Sequence, residues 1–152
     1  MPPEEIPHIL AGVAGEYYVA AELSRRGFIA TISLRNTRGM DILATNQDGT
    51  RSVTIQVKTT QKRGTSWLLS EKAESYVSKT HFYVFVRLGD REERAEFHIV
   101  PSRVVAKYVK EGHQGWLRQL GKKGQPHNDS AVRQFRDRDD RYLEKWKILK
   151  LS

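Results

Sequence analysis

Apolar side chains recur every three or four residues near the start of the chain. Between residues 9 and 26 the apolar positions Ile9, Val13, Tyr17, Ala20, Ala21 and Leu23 mostly recur at three- and four-residue spacing. This spacing is typical of a helix, and Gly27 supplies a C-terminal stop. The pattern therefore predicts a helix over residues 9–26.

The chain then takes on the composition of β-strands. Residues 28–33 are rich in β-branched side chains, and residues 40–44 and 52–58 flank the turn-forming sequence Asn46-Gln47-Asp48-Gly49. We therefore expect a strand over 28–33 and a β-hairpin formed by 40–44 and 52–58.

The next segment predicts a short helix between strands. Ser70 is placed to cap a helix over residues 72–77, with Glu71 and Glu74 in its first turn. Further strands are expected over 81–88 and 95–100.

The last third contains more turn-forming residues. Pro101 and Ser102 open a predicted helix that ends near Gly112. Residues 112–130 contain four glycines and one proline, which predicts a loop with a turn of helix near Trp116. A final short helix is expected over 139–146.

The order of predicted elements indicates the fold class. A helix, three strands, a helix, two strands and a helix predict an α/β protein with a central mixed β-sheet flanked by helices. The sheet must be mixed because a tight hairpin connects antiparallel neighbours. A chain of 152 residues suits a single domain, with a core over about residues 9–100 and an extension over 101–152.

Charge is concentrated in that extension. The chain has 26 Lys and Arg against 18 Asp and Glu, a net charge of +8. Residues 1–100 hold 13 basic and 12 acidic side chains, whereas residues 101–152 hold 13 and 6, a balance of +7. A cationic surface attracts polyanions, so nucleic acid is the first partner to consider.

Several classes of protein are excluded by what the sequence lacks. No apolar run approaches the roughly 20 residues of a spanning helix, so no membrane partner is expected. The first residues do not resemble a secretory signal, which favours a cytoplasmic location. There is no cysteine, and the five histidines show no close pair with ligand spacing. Carboxylates are therefore the expected metal ligands.

Polar side chains converge at one end of the predicted hairpin. Gln56 and Lys58 share a face of their strand because side chains alternate with a period of two. The hairpin turn places Asp41, near the start of the preceding strand, beside them. Glu16 lies within the first helix among apolar positions, where a charge is expensive to bury unless it is paired or ligated.

At these residues the sequence resembles the PD-(D/E)XK nuclease superfamily, which has the restriction-endonuclease-like fold. Members carry a helical Glu, an Asp on the second strand, and Glu or Gln, any residue, then Lys on the third. Here the matching residues are Gly15-Glu16, Gly39-Met40-Asp41 and Gln56-Val57-Lys58-Thr59-Thr60. The motifs cover residues 12–64, and the order of elements extends the resemblance to about residue 100.

The resemblance implies a metal-dependent endonuclease that acts on DNA. It implies that Glu16, Asp41 and Gln56 hold Mg²⁺, with Mn²⁺ as a substitute, and that Lys58 assists the attacking water. Gln56 stands where many members carry an acid, and Met40 stands where a proline is common. Gln-X-Lys versions occur in active branches similar to the Mrr-type and Holliday-junction-resolvase-like nucleases.

Further polar side chains flank the expected site in chain order. The expected phosphate contacts are Arg35, Arg38, Thr59, Gln61, Lys62 and Arg63. For each of them a solvated surface role is the alternative.

Two other functions remain open at this point. The first is a non-cleaving nucleic-acid-binding module on the same fold, which the neutral Gln56 and the basic extension also suit. Alternatively, Trp67 and Trp116 form an interface with a protein partner, although both are expected in core or subunit packing. A nuclease of this size has one active site, so cleavage of duplex or branched DNA predicts a homodimer. Restriction, repair, junction resolution and homing are not distinguished.

Overall fold

The computed structural model describes residues 5–34, 39–61 and 65–152. Within these ranges the chain forms two α-helices, α1 (His8–Arg25) and α2 (Ser102–Arg118). The strands are β1 (Ile29–Ile32), β2 (Ile42–Thr45), β3 (Ser52–Thr60), β4 (Trp67–Ser70), β5 (His81–Arg87), β6 (Glu96–Pro101) and β7 (Val132–Phe135). Short 3₁₀ turns span Glu71–Glu74, Arg138–Asp140 and Trp146–Leu149.

Five strands form the central sheet in the order β1-β2-β3-β5-β6. The pairs β1–β2, β2–β3 and β5–β6 are antiparallel, whereas β3–β5 is parallel. The predicted hairpin is confirmed, and Gly49 in its turn has φ +72°, which glycine adopts without steric cost. The predicted mixed sheet of an α/β protein is therefore present.

Each face of the sheet supports its own hydrophobic core. Val57 and Val84 pack with Val19 and Leu23 of α1 on one face. Tyr83, with Val105 and Val109 of α2, belongs to the core on the other face. This separation follows from the alternation of side chains along β3 and β5.

The basic extension contributes to both cores. Trp146, Leu149 and Leu151 pack in the core beneath α1, and Phe135 of β7 packs in the core beneath α2. Trp67 is also buried there, and its indole N–H donates to the Val86 carbonyl at 2.9 Å. The expectation that Trp67 packs in a core is therefore confirmed.

The predicted end of α2 near Gly112 was wrong, because the helix continues to Arg118. Glycine costs a helix about 1 kcal/mol relative to alanine but does not by itself end it. The additional turns make tertiary contacts: His113 Nε2 lies 2.8 Å from Asp129 Oδ1, and the Trp116 ring stacks on His127 with centroids 4.1 Å apart.

The pairing of β4 with β7 was missed, and the Ser70 cap and the helix over 72–77 were wrong. Ser70 ends β4, makes no side-chain cap hydrogen bond, and is followed by a single 3₁₀ turn. Its register partner in the antiparallel pair is Val132, which is 62 residues away. The expected helix over 139–146 was also wrong, since 3₁₀ turns lie on either side of residues 141–145.

Neither helix in the described ranges combines the length and the hydropathy needed to cross a membrane.

Candidate active site

Asp41 lies where β2 begins, and its backbone continues the hydrogen bonding of the sheet. Its N–H donates to the Ile55 carbonyl, and its carbonyl accepts from the Ser33 N–H, both at 2.8 Å. Its carboxylate Oδ2 accepts a 2.7 Å hydrogen bond from the backbone N–H of Val57. Because Val57 lies between Gln56 and Lys58 in β3, the carboxylate contacts the backbone at the centre of that polar pair.

The environment of Asp41 disfavours its charge. Burial raises the pKa of the Asp41 carboxyl above its usual value, although the Val57 N–H and the nearby Lys58 charge act in the opposite direction. A buried carboxylate with a raised pKa is stabilised in its charged form by an additional cation. The electrostatics therefore favour a cation at this position.

Gln56 and Lys58 are half-buried on the sheet face opposite α1. They line a cavity of about 410 Å³ together with Tyr76 and Tyr83. The cavity wall also includes Gly39, Leu69, Ser70, Lys72, Ala73 and Ser75.

Gly39 permits a close approach beside this cavity. Its φ is +62°, and a β-carbon added there would lie 2.9 Å from Tyr76 Cε1 and 3.7 Å from Gln56 Oε1. A larger residue would be strained in backbone conformation and would crowd the Tyr76 ring. Because residue 39 is glycine, its backbone can lie close to both the Tyr76 ring and the Gln56 amide.

Glu16 is half-buried on α1, next to Gly15, which packs closely against β3. A β-carbon on Gly15 would overlap with the hydroxyl oxygen of Thr59. The helix that carries Glu16 packs on the face opposite Gln56 and Lys58, so Glu16 approaches the strands from the α1 side. Asp41 lies at the start of the neighbouring strand.

Two of the expected phosphate contacts take part in packing or hydrogen bonding within the fold. The Thr59 hydroxyl is buried under α1 and has no hydrogen-bond partner among the described residues, so here it is a packing contact of the helix. The Gln61 amide accepts from the Ile6 N–H at 2.9 Å and donates to the Ile6 carbonyl at 2.8 Å. Arg35, Arg38, Lys62 and Arg63 lie outside the described residues.

Glu22 is a charged residue that the sequence patterns did not single out. It forms ion pairs with Arg25 and Arg26. Arg94 also bonds to Glu22, with Nη2 3.2 Å from Oε1. Burial acts to raise the pKa of Glu22, but the hydrogen bond from Arg26 and the charges of Arg94, Arg26 and Arg25 outweigh it and lower that pKa. These contacts make Glu22 a structural ion-pair centre that joins α1 to the turn before β6.

A second group of metal-ligand types was also missed. His98, Asp137 and Asp140 each present a ligand atom within 4.8 Å of the other two. However, His98 Nδ1 already lies 2.7 Å from Asp137 Oδ2, which also accepts from the Tyr142 N–H at 2.9 Å. An ion bound by Nδ1 and Oδ2 would replace that hydrogen bond, so we assign the pair to fastening the C-terminal segment on β6. The two residues are 39 positions apart, which no local spacing reveals.

No family model matches the sequence, and no curated protein matches it. Among solved structures, the fold is similar to that of the bacterial homing endonuclease I-Ssp6803I, with a TM-score of 0.56 and 15% identity, covering 96% of this chain and 94% of that one. This protein has the restriction-endonuclease-like fold. A Holliday junction resolvase, Hjc from the archaeal hyperthermophile Archaeoglobus fulgidus, is also similar, with a TM-score of 0.47, 14% identity, and coverage of 83% and 84% of the two chains.

The sequence motifs implied a restriction-endonuclease-like fold, and the structural similarity confirms that expectation. Glu16 lies on α1, Asp41 directly precedes β2, and Gln56 and Lys58 lie on β3. These are the element positions at which the PD-(D/E)XK pattern carries its residues.

Proposed function

We propose that this protein is a metal-dependent endonuclease that hydrolyses DNA phosphodiester bonds at a site formed by Glu16, Asp41, Gln56 and Lys58. The observation that carries the proposal is the Asp41 carboxylate, bound to the Val57 N–H between Gln56 and Lys58. Similarity in fold to a homing endonuclease supports it further.

The donor set fits a hard divalent cation. Asp41 offers a buried carboxylate and Gln56 an amide oxygen, and Mg²⁺ prefers oxygen ligands and retains several waters. Glu16 is the proposed third ligand, reached from the α1 side, and Mn²⁺ is the proposed substitute. When bound, such an ion stabilises negative charge on the phosphoryl oxygens and lowers the pKa of a coordinated water.

Lys58 provides a positive charge at the end of a flexible stem beside Asp41. Its influence on the Asp41 pKa indicates that the two charges interact. A lysine in this position can orient the attacking water or stabilise the developing phosphorane charge. The neutral Gln56 lowers the negative charge of the site, so we expect weaker metal binding than at a site with two acids.

The test is cleavage of supercoiled, linear, single-stranded and four-way-junction DNA in Mg²⁺ or Mn²⁺, with EDTA as the metal-free control. Asp41→Ala and Lys58→Ala should each abolish cleavage. Asp48→Ala and Lys145→Ala are matched controls at exposed positions and should cleave normally. Cleavage that persists in EDTA, or in both site variants, would overturn the proposal.

The neutral Gln56 favours one second candidate, a nucleic-acid-binding module that does not cleave. Salt-sensitive DNA binding that survives Asp41→Ala, without cleavage of any substrate, would establish this alternative. For the cleaving enzyme we propose a homodimer, because one site per chain cannot cut both strands at once. Light scattering with and without DNA tests the oligomeric state.

A further inference from the structure

Four basic residues form one line along the solvent face of α2. Arg103, Lys107, Lys110 and Arg118 are all exposed and are separated by four, three and eight residues. At about 100° per residue, these spacings place all four within an arc of about 80°. We call this set the α2 basic stripe.

The side of α2 opposite the stripe packs against the sheet, and this packing determines which way the stripe faces. Val105 and Val109 are buried in the core that also contains Tyr83 and Phe85 of β5. Because the helix packs through these valines, the stripe faces away from the sheet and is open to solvent.

Within the described ranges of the chain, the α2 basic stripe has no ion pair. Among the described residues, none of the four side chains has a hydrogen bond or an ion pair with a carboxylate, and Glu111 is the one acidic residue of α2. Several other arginines are paired: Arg26 and Arg94 with Glu22, Arg87 with Glu96, and Arg133 with Glu74. Like charges three and four residues apart destabilise a helix, so the mutual repulsion of Arg103, Lys107 and Lys110 does not stabilise the fold.

The start of α2 is fastened to the segment that lines the candidate active site. At the start of α2, the Ser102 hydroxyl donates to the Ser78 carbonyl at 2.9 Å and accepts from the Ser78 N–H at 3.0 Å. This contact fastens α2 to residues 75–80, and Tyr76 in that segment lines the cavity with Gln56 and Lys58. Arg103 follows Ser102 directly.

The length of the stripe suits an extended polyanion. From Arg103 to Arg118 is 15 residues, or about 22 Å at 1.5 Å per residue. That length corresponds to about six base pairs of B-DNA, which carries a regular row of phosphates on each strand.

We propose that the α2 basic stripe docks the phosphate backbone of duplex DNA and aligns it with the Asp41 site. The inference rests on the proposed function for its partner, and it names the surface that holds the substrate. The contacts are to phosphates, so the stripe contributes affinity without reading sequence.

Two double variants with the same change in charge test the proposal. Lys107→Gln with Lys110→Gln removes two charges from the stripe. Lys145→Gln with Lys147→Gln removes two exposed charges that flank Trp146, in the segment that packs in the core on the α1 side. Binding of a fluorescent duplex is measured by anisotropy in EDTA, so that no cleavage occurs, at several salt concentrations.

We expect the stripe variant to bind roughly tenfold or more weakly at 0.1 M salt and to lose about 2 units of slope in log K against log[salt]. The control variant should bind as the unmodified protein does. Circular dichroism melting curves establish that both variants are folded, and Arg118→Gln provides an independent single test with a slope loss of about 1.

Equal losses in the two double variants would overturn the proposal, because they would reflect overall charge rather than docking. Unchanged binding by the stripe variant, or tighter binding of phosphatidylserine vesicles than of DNA, would also overturn it. The proposed function is tested separately. If cleavage requires Asp41 but the stripe variant binds DNA normally, the docking role of the stripe is refuted and the nuclease function is not. If DNA binding depends on the stripe but no substrate is cleaved, the nuclease function is refuted and the docking role of the stripe is not.

Discussion

Gly15 of α1 lies so close to Thr59 of β3 that residue 15 has no room for a side chain. An added β-carbon would overlap with the Thr59 hydroxyl oxygen and would lie 3.1 Å from its Cβ and 3.2 Å from its Cγ2. Glycine at this position allows α1 to pack against the strand that carries Gln56 and Lys58. It also sets the position of Glu16, the next residue.

Gly15→Ala should therefore destabilise the protein by about 1–3 kcal/mol, as overpacking of a core does. In an ordinary helix interior the same change stabilises by about 1 kcal/mol. Gly12→Ala is the matched control, since a β-carbon there meets nothing within 4 Å, and it should stabilise the protein. Urea denaturation measures both. Equal effects of the two variants would show that the contact with Thr59 is not restrictive.

The raised pKa of Asp41 predicts a specific pH dependence of stability. Burial raises the folded-state pKa above the ordinary value of 3.8, so the folded state holds a proton more tightly than the unfolded state. The contribution of Asp41 to the stability of the folded state should therefore be full below pH 3.8 and be lost as the pH rises through the folded-state pKa.

Asp41→Asn removes this titration and keeps an oxygen for the Val57 N–H. It should raise the melting temperature at pH 7 relative to the unmodified protein, with the difference disappearing below pH 3.8. Mg²⁺ should stabilise the unmodified protein and not the variant. A melting-temperature difference that does not change with pH would contradict the assigned environment of Asp41.

Glu22 should show the opposite pH behaviour. Although burial alone would raise its pKa, the bonded arginines lower it below 4.5, so its contribution to stability is present above pH 4.5 and is lost as the pH falls through the folded-state pKa. Glu22→Gln should cost about 1–3 kcal/mol at pH 7, because it leaves Arg26 and Arg94 without their buried partner. Arg25→Gln, at a side chain that is 67% exposed, should change stability by less than about 0.5 kcal/mol. Unfolding measured at pH 3 and pH 7 distinguishes the two effects.

Gln56→Glu tests the role of the neutral residue in the site. A second carboxylate beside Asp41 should tighten Mg²⁺ binding roughly tenfold, because it adds a negative charge next to the ion. Isothermal titration calorimetry measures this affinity without reference to cleavage. Gln134→Glu on the exposed side of β7 is the control and should leave it unchanged. If Gln56→Glu does not alter the affinity, Gln56 is not a ligand.

Local patterns in the sequence were sufficient to predict the elements that build the candidate site. The spacing of apolar residues predicted α1, and alternation with an Asn-Gln-Asp-Gly turn predicted the β2–β3 hairpin. Asp41 and Lys58 are 17 residues apart across that turn, so strand register alone brings Asp41 to the Gln56–Lys58 pair. The period of a helix or strand is a property of neighbouring residues, and the sequence by itself therefore determined this much.

Only the tertiary structure decided which distant residues meet. Gly15 contacts Thr59 across 44 positions, Glu22 pairs with Arg94 across 72, and His98 contacts Asp137 across 39. The same is true of β4 with β7, and of the contacts that extend α2 to Arg118 and complete the basic stripe. These contacts depend on how the helices and sheets pack. Packing joins chemically ordinary residues that are far apart in the chain, and no periodicity within a short segment encodes it.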